Sequence, residues 1–174
     1  MNDNPANFDN PAEALAVALR LEEEGRKFFR EAADSCKGQL PKQTFEFLAA
    51  EEDGHIVAIE SFHASLSGGT LTPLPVMDES ATSARFDSFV TNLNDLSHTI
   101  KPDMTDMEAY RTAIKFENGA EEFYAEQAAS ATNEDVRLFF GWLIREEKRH
   151  AFLLEKCLKF AEDPAGWFGE KPAD

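Results

Sequence analysis

The stretch FEFLAAEEDGHIVAIESFHASL, residues 45–66, decides the fold of this chain. Its apolar side chains recur at alternating steps of three and four residues, the spacing of a helix face that packs inside a bundle. Glu52 and His55 fall in the same series, between Leu48 and Ile59. A carboxylate and an imidazole therefore stand in the seam of a core-facing helix, where polar groups without partners are costly.

The same series occurs a second time, 95 residues further along the chain. The match needs no gap and extends over both helices of a hairpin, so the two halves are versions of one structural unit. Positions that keep their residue type include Ala18 and Ala113, Glu22 and Glu117, Glu52 and Glu147, and His55 and His150.

Capping and breaking residues divide the chain into four long helices. Asn10-Pro11 opens the first helix, Gly38 is predicted as the C′ residue after its C-terminus, and residues 105–108 form a capping box that opens the third. A shorter helix is predicted within the segment that joins the hairpins. The predicted helices run from Pro11 to about Cys36, from Pro41 to about Leu66, over residues 82–99, from Thr105 to about Ala131, and from Asn133 to about Ala161.

This order of elements predicts an all-α protein. We expect a four-helix bundle of two repeated helical hairpins, joined by a long crossover that contains a short helix. The bundle should form one domain over residues 10–162, with the crossover at 67–104 and tails at 1–9 and 163–174. A chain of 174 residues is long enough to bury one sizeable core.

The composition excludes several function classes. The net charge of −16 argues against nucleic acid and anionic membranes as partners, because both attract clusters of Lys and Arg. The sequence has no basic leader and no apolar run of about 18 residues, so we expect a cytoplasmic protein that does not span a membrane. Its two cysteines form no Cys-x-x-Cys pair, which excludes a thiolate zinc or rubredoxin-type iron site within this chain.

The repeat also selects the polar residues that matter. Glu22 and Glu52 are 30 residues apart around a turn, and so are Glu117 and Glu147. Each carboxylate therefore lies about 15 residues, or about 22 Å, from its turn, which places all four at one height in a bundle. The predicted layer consists of six residues: Glu22, Glu52, His55, Glu117, Glu147 and His150.

Helical periodicity separates most other acidic residues from this layer. Glu31, for example, lies on the opposite side of its helix from Glu22. Glu51 flanks Glu52 at about 100° and stays open as a further ligand. Glu121 stays open as well, although its repeat counterpart is basic and indicates a surface position.

Four carboxylates in a shared core cannot all remain ionised without compensation. Each buried charge costs several kcal/mol, and like charges add to that cost. Protonation would leave a destabilised core, and the seams contain no Lys or Arg that could pair with the carboxylates. Two divalent cations would balance the four charges, and oxygen-rich ligation with one imidazole per metal suits iron or manganese better than structural zinc.

Gly25 lies three residues from Glu22 on the inner face of the first helix. A glycine in a helix interior costs about 1 kcal/mol relative to alanine, so its presence needs a reason. Two reasons are open: room beside the cations, or close packing of two helices.

Two segments of the first hairpin carry a family resemblance: LEEEGRKFF, residues 21–29, and EEDGH, residues 51–55. They resemble the Glu-x-x-Gly-x-x-Phe-aromatic and Glu-Glu-x-x-His segments of the rubrerythrin branch of the ferritin-like di-iron carboxylate proteins. The resemblance covers about residues 10–162. It implies a ferritin-like fold around two iron ions, for which manganese or zinc could substitute.

The resemblance also implies a role for each residue of the layer. Each iron ion would be held by one glutamate and one histidine, and the remaining two glutamates would bridge the ions. The implied assignments are Glu22 and His55 for one ion, Glu117 and His150 for the other, and Glu52 and Glu147 as bridges.

Tyr124 is a further candidate, with a catalytic role implied by the resemblance. It lies seven residues beyond Glu117 and therefore on the same face of its helix, one layer away. It could hydrogen-bond a ligand carboxylate, carry a transient radical, or be an ordinary core tyrosine. Its repeat counterpart is Phe29, so the phenol is not required twice.

The chain departs from full-length rubrerythrins in two ways. It lacks their rubredoxin-like Cys-x-x-Cys module, and Ala120 stands where they carry an additional carboxylate. The resemblance still implies oxidation of a di-iron centre by peroxide or O₂, as a peroxidase or oxidase in oxidative-stress defence. Electrons would come from an external rubredoxin-like protein or flavoprotein, and the chain would form a homodimer or a larger homo-oligomer.

The sequence is also consistent with two other functions. The first is a ferroxidase or iron-storage protein, which shares the same centre but requires an assembly that sequesters iron. The second is a helical scaffold with a vestigial site. The intact set of six residues argues against this second function.

Overall fold

The computed structural model describes residues 10–68 and 104–164, and within these ranges it contains helices and no strand. The short helix predicted over residues 82–99 lies outside the described residues. The structure confirms the predicted all-α four-helix bundle. Its helices are α1 (Pro11–Ser35), α2 (Gln39–Gly68), α3 (Met104–Ser130) and α4 (Glu134–Glu162).

Asparagine side chains cap two of the helices. Asn10 Oδ1 accepts a hydrogen bond from the backbone N–H of Ala12 at 3.0 Å, and Pro11 follows at the first helical position. At α4, Asn133 Oδ1 accepts from the N–H groups of Asp135 and Val136 at 2.8 and 3.3 Å. Both helices thus begin where the sequence predicts.

The turn between α1 and α2 corrects the predicted capping box at residues 105–108 and the predicted C′ role of Gly38. Asp106, inside the proposed capping box, belongs to α3 and is buried; its Oδ1 and Oδ2 accept from the N–H groups of Lys37 and Gly38 at 3.2 and 3.1 Å. Cys36, in extended backbone conformation, is the C-cap of α1. Gly38 therefore serves close approach, because an added Cβ would lie 2.9 Å from Asp106 Oδ2.

The helices pair as two hairpins, α1 with α2 and α3 with α4, which then meet through α1 against α3 and α2 against α4. The core divides into two hydrophobic clusters, one around Phe62 and Phe139 and the other around Phe29 and Phe45. Both clusters draw side chains from all four helices. Along every helix, the predicted polar layer falls between them.

No helix in the described ranges is both long and apolar enough to cross a membrane.

Candidate metal centre

The structure brings all six predicted residues together in one layer. None of the six is more than 3% exposed, and Glu117 is fully buried. The imidazole rings of His55 and His150 stack across the α2–α4 contact, with centroids 5.2 Å apart and an interplanar angle of 15°.

Glu52 and Glu147 occupy the middle of the layer, and each directs one oxygen to each imidazole. Glu52 Oε2 lies 3.3 Å from His55 Nδ1, while its Oε1 lies 3.4 Å from His150 Nδ1. Glu147 Oε1 and Oε2 lie 3.7 Å from the same two nitrogens. This is the arrangement that two bridging carboxylates need.

Glu22 and Glu117 lie on the outside of the pair, each beside one imidazole. Glu22 Oε2 hydrogen-bonds with His55 Nδ1 at 3.0 Å. Glu117 Oε1 lies 3.4 Å from His150 Nδ1.

The donor atoms form two overlapping groups, and within each group they all lie within 4.8 Å of one another. The two groups share one carboxylate, that of Glu52. One group consists of Glu52, Glu117, Glu147 and His150, and the other of Glu22, Glu52 and His55.

Without cations, the outer glutamates compensate for burial by retaining protons. Burial raises the pKa of Glu22 to about 8, and the neighbouring Glu52 charge raises it further. Burial, together with the Glu147 charge, likewise raises the pKa of Glu117 well above its usual range.

The pKa values of the other layer residues follow from their polar neighbours. Burial would raise the pKa of Glu52, but the close approach of Glu22, His150 and His55 outweighs burial and lowers this pKa to about 2. For both histidines burial would lower the pKa, yet the adjacent carboxylates raise it well above the usual range. These shifts favour bound protons in the metal-free layer, and a cation that binds there would displace them.

Several buried donor atoms in the layer lack any hydrogen bond within the described helices. They include both oxygens of Glu52 and of Glu117, Glu147 Oε1, and both ring nitrogens of His150. No lysine or arginine of these helices forms an ion pair with the six residues. Unsatisfied buried carboxylates and imidazoles are rare, and cation binding would satisfy them. The donor set thus suits first-row divalent metals such as iron and manganese.

Two aromatic residues contact the Glu22–His55 side of the layer. The Tyr124 hydroxyl donates a hydrogen bond to Glu22 Oε1, as one of the three alternatives for this tyrosine predicts. A radical role for Tyr124 stays a prediction. The Trp142 ring stands edge-on against His55, with centroids 5.4 Å apart at 83°. Trp142 was missed by sequence reasoning, although its repeat counterpart, Phe47, marks it as a difference between the two copies.

The open acidic candidates lie outside both donor groups. Glu121 forms a salt bridge with Lys148, with 3.3 Å between Oε1 and Nζ. Glu51 is buried but belongs to neither group. Its counterpart Glu146, also buried and not anticipated, pairs with Arg149 at 2.6 Å.

The contacts at Gly25 favour close packing of helices as the reason for this glycine. A Cβ there would lie 2.8 Å from Phe116 Cε1 on α3, and 3.7 Å from Glu52 Cδ. An added Cβ would therefore collide with the Phe116 ring, whereas it would only reach ordinary contact distance from Glu52.

A four-helix bundle whose central layer joins four glutamates and two histidines from repeated hairpins is of the ferritin-like class. The chain belongs to the rubrerythrin family, whose sequence model matches residues 13–158. A solved structure, of a hypothetical protein from Pyrococcus furiosus, is similar at a TM-score of 0.63 and 19% identity, over 89% of this chain and 92% of that one. At this identity the likeness shows the fold alone. No curated protein matches the sequence significantly.

Proposed function

We propose that this protein holds two iron ions in the layer and uses them to reduce hydrogen peroxide or O₂, with electrons from an external donor. One observation carries the proposal: Glu52 and Glu147 each direct one oxygen to each imidazole. Two carboxylates so placed can bridge a pair of cations, whereas carboxylates of a single-ion site or a structural core have no need of this symmetry.

The family resemblance and the donor groups support the same division of roles. Glu22 and His55 would hold one ion, and Glu117 and His150 the other. When bound, two ferrous ions would supply two electrons, which with two protons reduce H₂O₂ to two water molecules or O₂ to H₂O₂.

The protein's own contribution is to exclude water and to manage protons. The hydrophobic clusters close the layer from both ends, so reaction within it is shielded from solvent. Glu22 and Glu117, which retain protons in the metal-free state, would release them as cations enter. The Tyr124 hydroxyl holds the orientation of Glu22.

The two cysteines of the given sequence, Cys36 and Cys157, form no Cys-x-x-Cys pair that could carry a rubredoxin-type iron, which favours an external electron donor. We propose a rubredoxin-like protein or a flavoprotein as the donor. A cytoplasmic location and a homodimeric or larger assembly belong to the same proposal.

Ferroxidation that feeds an iron store is a second candidate. Ala120 supplies no carboxylate on α3, and the adjacent Glu121 binds Lys148 instead of approaching the layer. The chain thus lacks the extra ligand of peroxide-reducing rubrerythrins. Iron loading followed by gel filtration separates the candidates, since a store takes up many iron atoms per chain.

Peroxide oxidation of the ferrous protein tests the first proposal. Metal-free protein is loaded anaerobically with two equivalents of Fe²⁺ and mixed with one equivalent of H₂O₂ or with O₂ in a stopped-flow instrument. We expect rapid oxidation of both ions, visible as the near-ultraviolet absorption of ferric iron. A ferrous centre that is bound but inert to both oxidants would contradict the proposal.

A matched pair of variants ties the reaction to the layer. Glu147→Ala should lose one or both ions, measured by metal analysis, because it removes a carboxylate from between the imidazoles. Glu155→Ala changes an exposed glutamate of the same helix and should bind iron as the unaltered protein does. Equal iron contents in the two variants would show that the iron is not bound by the layer.

A further inference from the structure

The outward faces of α2 and α4 differ in charge, although the repeat relates the two helices residue by residue. Residues 50–64 of α2 contain no lysine or arginine, whereas the equivalent residues 145–159 of α4 contain five of the 17 in the chain. The five are Arg145, Lys148, Arg149, Lys156 and Lys159, and their counterparts are Ala50, Asp53, Gly54, Ser61 and Ala64. Because the inward-facing ligands are the same in both copies, the common fold does not need this positive charge.

Phe152 lies among the basic residues of α4 and is 49% exposed. Arg145 and Lys159 lie seven residues before and after it, which places both on the same face of the helix. Lys156 Nζ stands over the Phe152 ring, 5.3 Å from its centroid. Aromatic residues and arginine are enriched in protein–protein interfaces, and interface rims are polar. We call Phe152 and the five basic residues the α4 patch.

Acidic neighbours offset part of the charge of the α4 patch. Lys148 pairs with Glu121 at 3.3 Å, and Arg149 pairs with the buried Glu146 at 2.6 Å. Glu155 is the exposed acidic residue of the stretch 145–159. Five basic groups thus stand against three acidic ones here, within a chain whose net charge is −16. An acidic partner is repelled by the chain as a whole and attracted at the α4 patch, which selects one orientation of approach.

The α4 patch lies directly behind the layer. Phe152 is two residues beyond the buried His150, about 200° round the helix, so the two rings lie on opposite sides of α4. One helix, about 10–12 Å across with its side chains, therefore separates a partner on the patch from the layer. Such a partner reaches the vicinity of the ligands without entering the core.

The composition of the α4 patch favours a transient protein partner. Permanent homodimer interfaces are large and mainly hydrophobic, whereas encounters between redox proteins are small and are steered by complementary charge. Nucleic acids and anionic membranes are extended polyanions, which would also face the acidic surroundings of the patch. A small acidic protein needs to contact only the patch itself.

We propose that the α4 patch is the docking surface for the external electron donor, a small acidic protein that carries one electron at a time. This inference rests on the proposed two-iron function and assigns the surface at which the electrons arrive. Each encounter oxidises the carrier by one electron and reduces the layer by one, so two encounters return the two electrons that H₂O₂ withdraws. The basic residues attract and orient the carrier, and Phe152 supplies the apolar contact.

A matched pair of double variants tests the docking surface. Lys156→Glu with Lys159→Glu reverses two charges of the α4 patch, and Lys27→Glu with Lys115→Glu makes the same change in net charge at exposed positions of α1 and α3. Fluorescently labelled rubredoxin with zinc in place of iron, an acidic carrier that cannot transfer electrons, is titrated with each iron-loaded protein, and its anisotropy is measured. We expect the patch variant to bind about tenfold more weakly and the control to change by less than about twofold.

Salt and a third variant separate charge attraction from apolar contact. The difference between the double variants should shrink as the ionic strength rises from about 0.01 M to about 1 M, because salt screens exposed charges. Phe152→Ala should weaken binding severalfold at every ionic strength, since it removes contact area and no charge. Circular dichroism verifies that every variant is folded. A difference that persists unchanged in high salt would contradict electrostatic docking.

Equal affinities of the two double variants, or no binding of rubredoxin by the unaltered protein, would overturn the docking surface. Dissociation of an oligomer by the patch variant in sedimentation would also overturn it, because the patch would then contact a second copy. Each variant should react with H₂O₂ when ferrous, and with reduced methyl viologen when ferric, as the unaltered protein does. A ferrous centre that is inert to H₂O₂ in the unaltered protein would instead overturn the function, and the inference with it.

Discussion

Gly25 lies on the inner face of α1, one turn beyond Glu22, and its lack of a side chain sets how closely α1 approaches α3. The Phe116 ring occupies the space that a Cβ would need. Gly119, on α3, has nothing within 4 Å of the equivalent position and is exposed. The two glycines therefore differ in packing while sharing a helical backbone.

Replacing each glycine with alanine should have opposite effects. Alanine favours a helix interior by about 1 kcal/mol, so Gly119→Ala should raise the free energy of unfolding by about 0.5–1 kcal/mol. Gly25→Ala should lower it, because forcing a methyl group against an aromatic ring costs about 1–3 kcal/mol and outweighs the helical gain. Urea unfolding of the metal-free proteins measures both, and stabilisation by Gly25→Ala would refute the packing argument.

The convergence of the six layer residues could be predicted because sequence spacing fixes both the face of a helix and the height along it. The hydrogen bond from Tyr124 to Glu22 could only be offered as one alternative. It joins α3 to α1 and depends on a side-chain conformation that spacing does not set. The contact of Trp142 with His55, between α4 and α2, was beyond prediction for the same reason.

At the level of elements, Asp106 ties the beginning of α3 to the turn between α1 and α2. The local pattern of residues 105–108 predicts a capping box, but Met104 is already helical and the Asp106 carboxylate accepts from Lys37 and Gly38 instead. A pattern confined to four residues cannot reveal a partner nearly 70 positions away. The Asp106 carboxylate supplies a tertiary acceptor for two backbone N–H groups of the turn.

Asp106→Ala should destabilise the bundle by about 1–3 kcal/mol, because it removes the carboxylate that accepts two part-buried hydrogen bonds from the turn. Glu108→Ala, at an exposed position of the same turn of helix, should change the free energy of unfolding by less than about 0.5 kcal/mol. Chemical denaturation of the two variants gives the comparison. Equal stabilities would mean that solvent already satisfies the turn.

For the whole molecule, the repeat predicted two matching hairpins and a four-helix bundle, and the structure confirms both. The sequence left open how the hairpins face each other, because a long crossover permits either sense. That choice is made by complementary packing of α1 on α3 and α2 on α4, including the Phe62–Phe139 stack with centroids 4.3 Å apart. This complementarity depends on the shapes of two helix surfaces together, so the sequence of one helix does not reveal it.

Stability of the metal-free protein should fall as the pH rises from 6.5 to 8. Glu22 has a folded pKa of about 8 against 4.5 unfolded, and both histidine pKa values are raised above 6.5. Between pH 6.5 and 8 the folded chain retains protons that the unfolded chain has lost, so a rise in pH lowers the free energy of unfolding. Glu52, with its pKa lowered to about 2, acts oppositely and loses its stabilising effect only as the pH falls below 4.5.

Thermal unfolding with and without Mn²⁺ at pH 5.5 and 8 checks this behaviour. The metal-free protein should melt lower at pH 8, and the increase in Tm on adding Mn²⁺ should be larger there, because fewer protons compete for the ligands. Glu22→Gln should reduce the pH dependence, and Glu60→Gln, an exposed change on α2, should preserve it. A Tm increase that is independent of pH would contradict proton displacement.

Both hydrophobic clusters, and the polar layer between them, take side chains from both hairpins. One hairpin alone holds half a core and three of the six ligands. A separate hairpin could complete the core and the layer only by associating with a second copy. Because both hairpins belong to one chain, this association is intramolecular and does not depend on protein concentration, and the two copies can carry different residues, as Tyr124 and Trp142 differ from Phe29 and Phe47.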